Sequence, residues 1–71
     1  MPVVIVNMLE GRSNKVKAEL ISSVTDSVRK TLEVPSENVR VLINELPDHH
    51  YGVAGLPIKE YLLKKVRKKK D

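Results

Sequence analysis

The chain has 71 residues, of which 41% are hydrophobic and 31% charged, a balance typical of one globular domain rather than of a disordered segment. It contains no cysteine, which excludes disulfides and thiolate metal sites, and its two histidines are adjacent, which argues against a structural zinc ion. The net charge of +4 arises in residues 59–71, which carry +5, whereas residues 1–58 carry −1. We therefore expect a single domain over residues 1–71, with a basic tail at about 64–71 and no metal site.

The first half of the chain predicts a strand followed by a long helix. Residues 2–9 form an apolar run rich in β-branched side chains, typical of a strand buried on both faces. Residues 10–12 are a turn signal, and Ser13 is a good helix N-cap. From Asn14 to about Leu32 the apolar residues lie on one helical stripe, and charged residues such as Lys17 are expected to face the solvent.

The second half predicts another strand and a small C-terminal unit. Pro35 ends the helix, and residues 39–46 form a second β-branched strand. Strand, helix and strand together predict a right-handed βαβ unit with parallel strands. Residues 51–55 favour a small hairpin or an edge strand, and the spacing of Ile58, Tyr61, Leu62 and Val66 favours a short final helix. We expect residues 67–71 to fray into solvent.

In a single βαβ unit the helix covers only one face of the sheet. Both predicted strands, however, have apolar residues on both faces. The predicted fold class is therefore α+β: a βαβ protomer with a parallel two-stranded sheet, a short C-terminal hairpin and a terminal helix, extended by oligomerisation. No apolar run approaches the ~18 residues of a membrane span, and no signal peptide is apparent, so we expect a cytoplasmic protein without membrane association. The Lys-rich tail has no interleaved aromatic residues, so no specific nucleic-acid binding is expected.

Pro2 is the first candidate for chemistry. Removal of Met1 by a methionine aminopeptidase would leave a prolyl secondary amine as the chain terminus. A terminal amine titrates near ~7.7–8.0 in water, and burial and nearby arginines would lower the pKa of this one toward neutrality, where a general base works best. On local sequence alone, Pro2 is also explained as the first residue of a strand, where no N–H is needed.

Three further residues carry two interpretations each. Arg40 lies inside an apolar strand and needs an anionic partner, either a substrate carboxylate or an acid such as Glu37 or Glu45. Arg12 either binds a carboxylate or is an exposed turn residue with no role in a site. Tyr51 is either the wall of a pocket or an aromatic of the core or of an interface. His49 and His50 are expected in solvent.

Several segments, taken together and in order, resemble the 4-oxalocrotonate tautomerase family of the tautomerase superfamily. The resemblance covers roughly residues 2–56. It rests on Pro2 with its apolar strand, Met-Leu-Glu-Gly-Arg-Ser at 8–13, Val-Arg-Val at 39–41 with Asn44 and Glu45, and His-Tyr-Gly-Val-Ala-Gly at 50–55.

This resemblance implies a βαβ protomer in a homohexamer, a trimer of dimers with active sites shared between subunits, and a role in aromatic catabolism. Pro2 would be the general base of a cofactor-independent enol–keto tautomerase acting on 2-hydroxy-dienoate acids such as 2-hydroxymuconate. Arg12 would bind a substrate carboxylate, and Arg40 of another subunit would polarise the 2-oxo group. Tyr51 and Leu9 would line the pocket, with Tyr51 standing where the family usually has Phe.

Two alternatives remain open at this point. One is another Pro-dependent activity of the superfamily, such as a decarboxylase or a hydratase, although no acidic residue that would activate water is apparent near the pocket-forming segments. The other is a non-catalytic oligomeric module whose basic tail binds acidic partners.

Overall fold

The computed structural model describes residues 1–70 of the chain, and the side chains of residues 1–65. The elements follow the predicted order, and short 3-10 turns lie at Ser36–Asn38 and Asp48–His50. In chain order they are β1 (Val3–Leu9), α1 (Asn14–Leu32), β2 (Arg40–Leu46), β3 (Gly52–Val53), β4 (Leu56–Pro57) and α2 (Ile58–Lys70).

β1 and β2 pair in parallel over their full lengths, from Val3 opposite Arg40 to Leu9 opposite Leu46. α1 makes the crossover, and its first turn is capped by Ser13, whose hydroxyl oxygen accepts a hydrogen bond from the Val16 amide at 3.2 Å. The helix ends at Glu33, which adopts a left-handed conformation with φ of 55°. The predicted βαβ unit with parallel strands is confirmed.

The two faces of this sheet differ in what covers them. On the face under α1 the side chains are half-buried, and on the other face they are exposed. The open face carries large apolar residues: Val3 is 55% exposed, Ile5 59% and Leu42 53%. Within the part of the chain whose side chains are described, only Val39 is buried. The expected uncovered apolar face is therefore present, and the single chain has almost no interior.

The position of the Lys17 side chain differs from the prediction. The sequence placed it toward solvent, but its ammonium lies 2.9 Å from Glu45 Oε1, and only 20% of its side chain is exposed. It reaches Glu45 because both side chains lie between α1 and the covered face of the sheet. The long apolar stem of lysine packs there while its charge meets a carboxylate.

β3 and β4 form the predicted hairpin, with the second strand just beyond the predicted segment. The two turn residues, Ala54 and Gly55, have φ of 53° and 84°. Positive φ at both central residues is the geometry that matches the twist of a tight antiparallel pair. Gly55 adopts it freely, whereas Ala54 adopts it against the preference of an L-residue.

α2 is longer than the sequence predicted. Residues 67–70 continue the helix instead of fraying, and Asp71 lies outside the described residues. Lysine and arginine are good helix formers, and their charges are favourable at a helix C-terminus, so no residue there ends the helix. The molecule is elongated, with extents of 52 × 22 × 20 Å. Among the described residues, no helix combines the length and the apolar character needed to cross a membrane.

Candidate active site

The predicted site residues lie in two groups at opposite ends of the sheet. At one end, Pro2 is half-buried at the entrance to β1, and its carbonyl oxygen accepts a hydrogen bond from the Arg40 backbone amide at 3.0 Å. The Arg40 side chain is exposed, and its guanidinium donates to the carbonyl oxygen of Glu37. Pro2 and Arg40 are therefore neighbours within one chain.

The other end carries Leu9, Arg12 and Tyr51. Leu9 is the last residue of β1, and the chain leaves it through Glu10, whose amide donates to the Leu46 carbonyl oxygen at 2.9 Å. Arg12 is exposed in the loop that follows. Tyr51, 36% exposed, lies on the segment that leaves β2 at this same end.

The length of β1 separates the two groups. A strand rises about 3.3 Å per residue, so the seven residues of β1 put its ends about 20 Å apart. One small substrate cannot bridge Pro2 and Arg12 of the same chain. A site that contains both residues needs a second copy whose Arg12 end lies beside the Pro2 end of the first.

The Pro2 end carries two carboxylates besides the Arg40 guanidinium and the basic last turn of α1. Glu33 and Glu37 flank the start of β2 and are exposed. Hydrogen bonds from its own backbone amide and from the Ser36 hydroxyl, the latter at 3.0 Å, lower the pKa of the Glu37 carboxyl, which is therefore ionised at neutral pH. Of the alternatives considered for Arg40, a pair with Glu45 is not formed, because Glu45 lies on the covered face with Lys17. Arg40 contacts the backbone of Glu37 instead of its carboxylate.

An ion pair near Tyr51 joins the loop to α2. Lys59 Nζ lies 2.9 Å from Asp48 Oδ2, and the hydrogen bond lowers the pKa of the Asp48 carboxyl and raises that of the Lys59 ammonium. The Ile58 amide also donates to the Tyr51 carbonyl oxygen at 2.8 Å, so α2 begins directly against the Tyr51 segment. His49 and His50 are exposed, as expected.

Asn7 and Asn44 form a feature of the open face that the sequence analysis did not single out. They lie opposite each other in the sheet, and Asn44 Nδ2 donates to Asn7 Oδ1 at 2.9 Å. The signal in the sequence is one asparagine at the fifth position of each seven-residue strand. The pair satisfies two amides on a surface that is otherwise apolar.

The comparisons with known proteins bear on this arrangement. Residues 2–61 match the family model described as tautomerase enzyme. This chain belongs to the tautomerase family. A probable tautomerase from Ralstonia nicotianae is 49% identical over 57 residues, which are 80% of this chain and 81% of that protein. A 2-hydroxymuconate tautomerase from Pseudomonas fluorescens is 42% identical over 57 residues, covering 80% of this chain and 90% of that protein.

Solved structures agree on the fold of this tautomerase family member. TomN, a 4-oxalocrotonate tautomerase homologue of the tomaymycin biosynthetic pathway, matches with a TM-score of 0.84 and 35% identity over 87% of this chain and 95% of that one. A heterohexameric 4-oxalocrotonate tautomerase from Chloroflexus aurantiacus matches with a TM-score of 0.81 and 37% identity over 84% and 97% of the two chains. The resemblance drawn from the sequence is confirmed. The protein is an enzyme of the isomerase class, which decides against the non-catalytic module.

Proposed function

We propose that this tautomerase converts 2-hydroxy-dienoate acids, such as 2-hydroxymuconate, into 2-oxo-enoates, with the Pro2 amine as general base after Met1 is removed. The observation that carries the proposal is the half-buried Pro2 at the start of β1, in a chain that belongs to the tautomerase family. Relatives named 2-hydroxymuconate tautomerase, 42% identical to this chain, support the substrate class.

The local environment of Pro2 favours this role. Met1 is 78% exposed, so it is accessible to an aminopeptidase. The prolyl amine that it leaves behind lies at the start of β1, where Pro2 is half-buried. Desolvation disfavours its protonated form, and so would the arginines proposed for the site. Its pKa therefore falls toward neutrality, where the amine is free to accept a proton.

The proposed reaction is a proton relay at one nitrogen. The Pro2 amine takes the proton of the substrate 2-hydroxyl, which leaves a dienolate. The protonated amine then returns the proton to a carbon of the conjugated chain. The base is regenerated, atoms and charge balance, and neither a metal nor an organic cofactor takes part.

The other site residues bind the anionic substrate. Arg12 holds a carboxylate, for which the guanidinium fork is well suited. Arg40, contributed by a neighbouring copy, stabilises the negative charge that develops on the 2-oxygen. Leu9 and Tyr51 form apolar walls, and the Tyr51 hydroxyl adds a polar group to one of them.

The proposed assembly follows from the separation of Pro2 and Arg12. Antiparallel pairing of two copies brings the Arg12 end of one beside the Pro2 end of the other, and three such dimers form a hexamer. Packing of the open faces against one another removes Val3, Ile5 and Leu42 from water. The heterohexamer among the similar structures supports this arrangement.

Kinetics on 2-hydroxymuconate test the base. A general base contributes ~10²–10⁴-fold, so Pro2→Ala should lower kcat by about that factor. Arg40→Ala should lower kcat, and Arg12→Ala should mainly raise KM for dicarboxylates.

Pro35→Ala, in the exposed loop after α1, is the matched control and should retain activity. Unchanged rates in all three site variants would reject the proposal, as would an intact mass that still includes Met1 in the active protein.

Mixed assemblies test whether the sites are shared. Pro2→Ala and Arg40→Ala subunits are each inactive, but a site between two copies can draw its Pro2 from one and its Arg40 from the other. Unfolding and refolding the two variants together should therefore restore part of the activity. If each site used residues of one chain only, the mixture would stay as inactive as its components.

A further inference from the structure

α2 presents an apolar and basic surface that the body of the chain does not cover. Leu62 is 50% exposed and Leu63 61%, while Lys64 and Lys65 beside them are also exposed. Leu63 and Lys64 line an open groove between α2 and β4, together with Leu56 and Glu60. The family match ends at residue 61, so Leu62, Leu63, Lys64 and Lys65 lie beyond it.

The opposite end of the molecule presents Leu32 and two carboxylates. The basic residues of the last turn of α1, Arg29 and Lys30, form ion pairs with Asp26. Leu32, the last residue of α1, is 56% exposed. Glu33 and Glu37, one in the helix cap and one in the 3-10 turn, are exposed beside it. We call Leu32, Glu33 and Glu37 the acidic patch. It combines one large apolar side chain with two carboxylates, which complements the leucines and lysines of α2.

The antiparallel arrangement proposed above brings these two surfaces together. α2 follows the Tyr51 segment at the Arg12 end of the sheet, and the acidic patch lies at the Pro2 end. If the Arg12 end of one copy lies beside the Pro2 end of another, α2 of the first copy is carried toward the acidic patch of the second.

We propose that α2 of one copy docks on the acidic patch of a second copy, with Leu63 against Leu32 and with Lys64 and Lys65 facing Glu33 and Glu37. This interface rests on the proposed shared site and adds a subunit contact outside the family region. Because Glu37 also holds the Arg40 side chain through its carbonyl oxygen, the docked helix borders the Pro2 end of the second copy.

Charge reversal tests the docking. Lys64→Glu with Lys65→Glu, or Glu33→Lys with Glu37→Lys, replaces attraction by repulsion and should raise the dissociation constant of the assembly roughly tenfold, measured by sedimentation over a dilution series. The quadruple variant, with both sets exchanged, should return toward the wild-type value. Glu19→Lys, on the same helix as the patch but near its other end, is the matched control and should leave dissociation unchanged.

Cross-linking tests the leucine contact. The chain has no cysteine, so Leu32→Cys with Leu63→Cys introduces the only two thiols. Under oxidation we expect disulfide-linked dimers, and none from Ser22→Cys with Leu63→Cys. Equal dissociation in all charge variants, or equal cross-linking in both cysteine pairs, would overturn the docking.

A separate measurement distinguishes failure of the docking from failure of the proposed function. Turnover of 2-hydroxymuconate and its loss in Pro2→Ala are measured in the same assays, at protein concentrations where the assembly is intact. Pro2-dependent turnover with no effect of charge reversal rejects the docking alone. Turnover independent of Pro2 rejects the proposed function, and with it the shared site on which the docking depends.

Discussion

Lys17 and Glu45 form an ion pair that the helix and sheet together shield from water. Their side chains are 20% and 31% exposed, far less than those of Asp26 and Lys30 on the outer surface of α1 at 51% and 67%. A partly buried pair is screened less by solvent than an exposed one, and its loss leaves a charge in a region that water reaches poorly.

We therefore expect Lys17 and Glu45 to be energetically coupled. Lys17→Met and Glu45→Gln should each destabilise the protein, and the double variant should destabilise it by less than the sum, with a coupling of about 1 kcal/mol. The measurement is urea denaturation of all four proteins at one protein concentration. The same cycle on Asp26 and Lys30 is the control and should give a smaller coupling. Additive effects at Lys17 and Glu45 would show that the two charges act independently.

At the scale of elements, the β3–β4 hairpin contains one residue whose conformation is unfavourable. Ala54 has φ of 53°, and its side chain is exposed. An L-residue in the left-handed region costs roughly 1–2 kcal/mol, whereas glycine enters it freely.

Ala54→Gly should therefore stabilise the protein by up to about 1 kcal/mol, since the strain is relieved at some cost in chain entropy. Thermal denaturation measures the change. The same substitution inside α1, Ala18→Gly, is the matched control and should destabilise by about 0.5–1 kcal/mol, because glycine is a poor helix former. A shift of the same sign at both positions would contradict the assignment of the turn.

Local patterns predicted most elements and their order. The β-branched runs at residues 2–9 and 39–46, the Ser13 cap and the stop at Pro35 each depend on neighbouring residues alone, and these elements are present. The end of α2 was not predictable in this way, because a run of lysines is compatible with either a helix or a solvated tail. The place of Lys17 was missed because a lysine stem can pack while its charge finds a partner remote in sequence.

The residues of the candidate site were predictable, but their arrangement in space was not. The sequence and the resemblance singled out Pro2, Leu9, Arg12, Arg40 and Tyr51. The length of β1 separates Pro2 from Leu9 and Arg12. The register that pairs Val3 with Arg40, and so places Arg40 beside Pro2, is not encoded in local patterns.

At the scale of the whole molecule, the open face of the sheet exposes several large apolar side chains to water. Ile5 is 59% exposed there, next to Val3 and Leu42. A charge at Ile5 would cost little in a lone subunit, where water reaches it. In an assembly that covers this face, the same charge would be buried without a partner.

Ile5→Lys should therefore raise the dissociation constant of the assembly by two orders of magnitude or more and abolish turnover at low protein concentration. Sedimentation and activity over the same dilution series measure both effects. Ser22→Lys adds the same charge to the exposed side of α1 and should change neither. An Ile5→Lys protein that assembles as tightly as the wild type would show that the open face is not an interface.

The near absence of buried side chains has a consequence for how the protein matures in the cell. With Val39 as the one buried residue among those whose side chains are described, a newly made chain has little to hold its tertiary structure before it meets another. With the proposed assembly, maturation is a second-order process, and its half-time lengthens as the rate of synthesis falls. Chains produced sparsely would spend longer open to proteolysis, so the yield of active enzyme should rise more steeply than its expression.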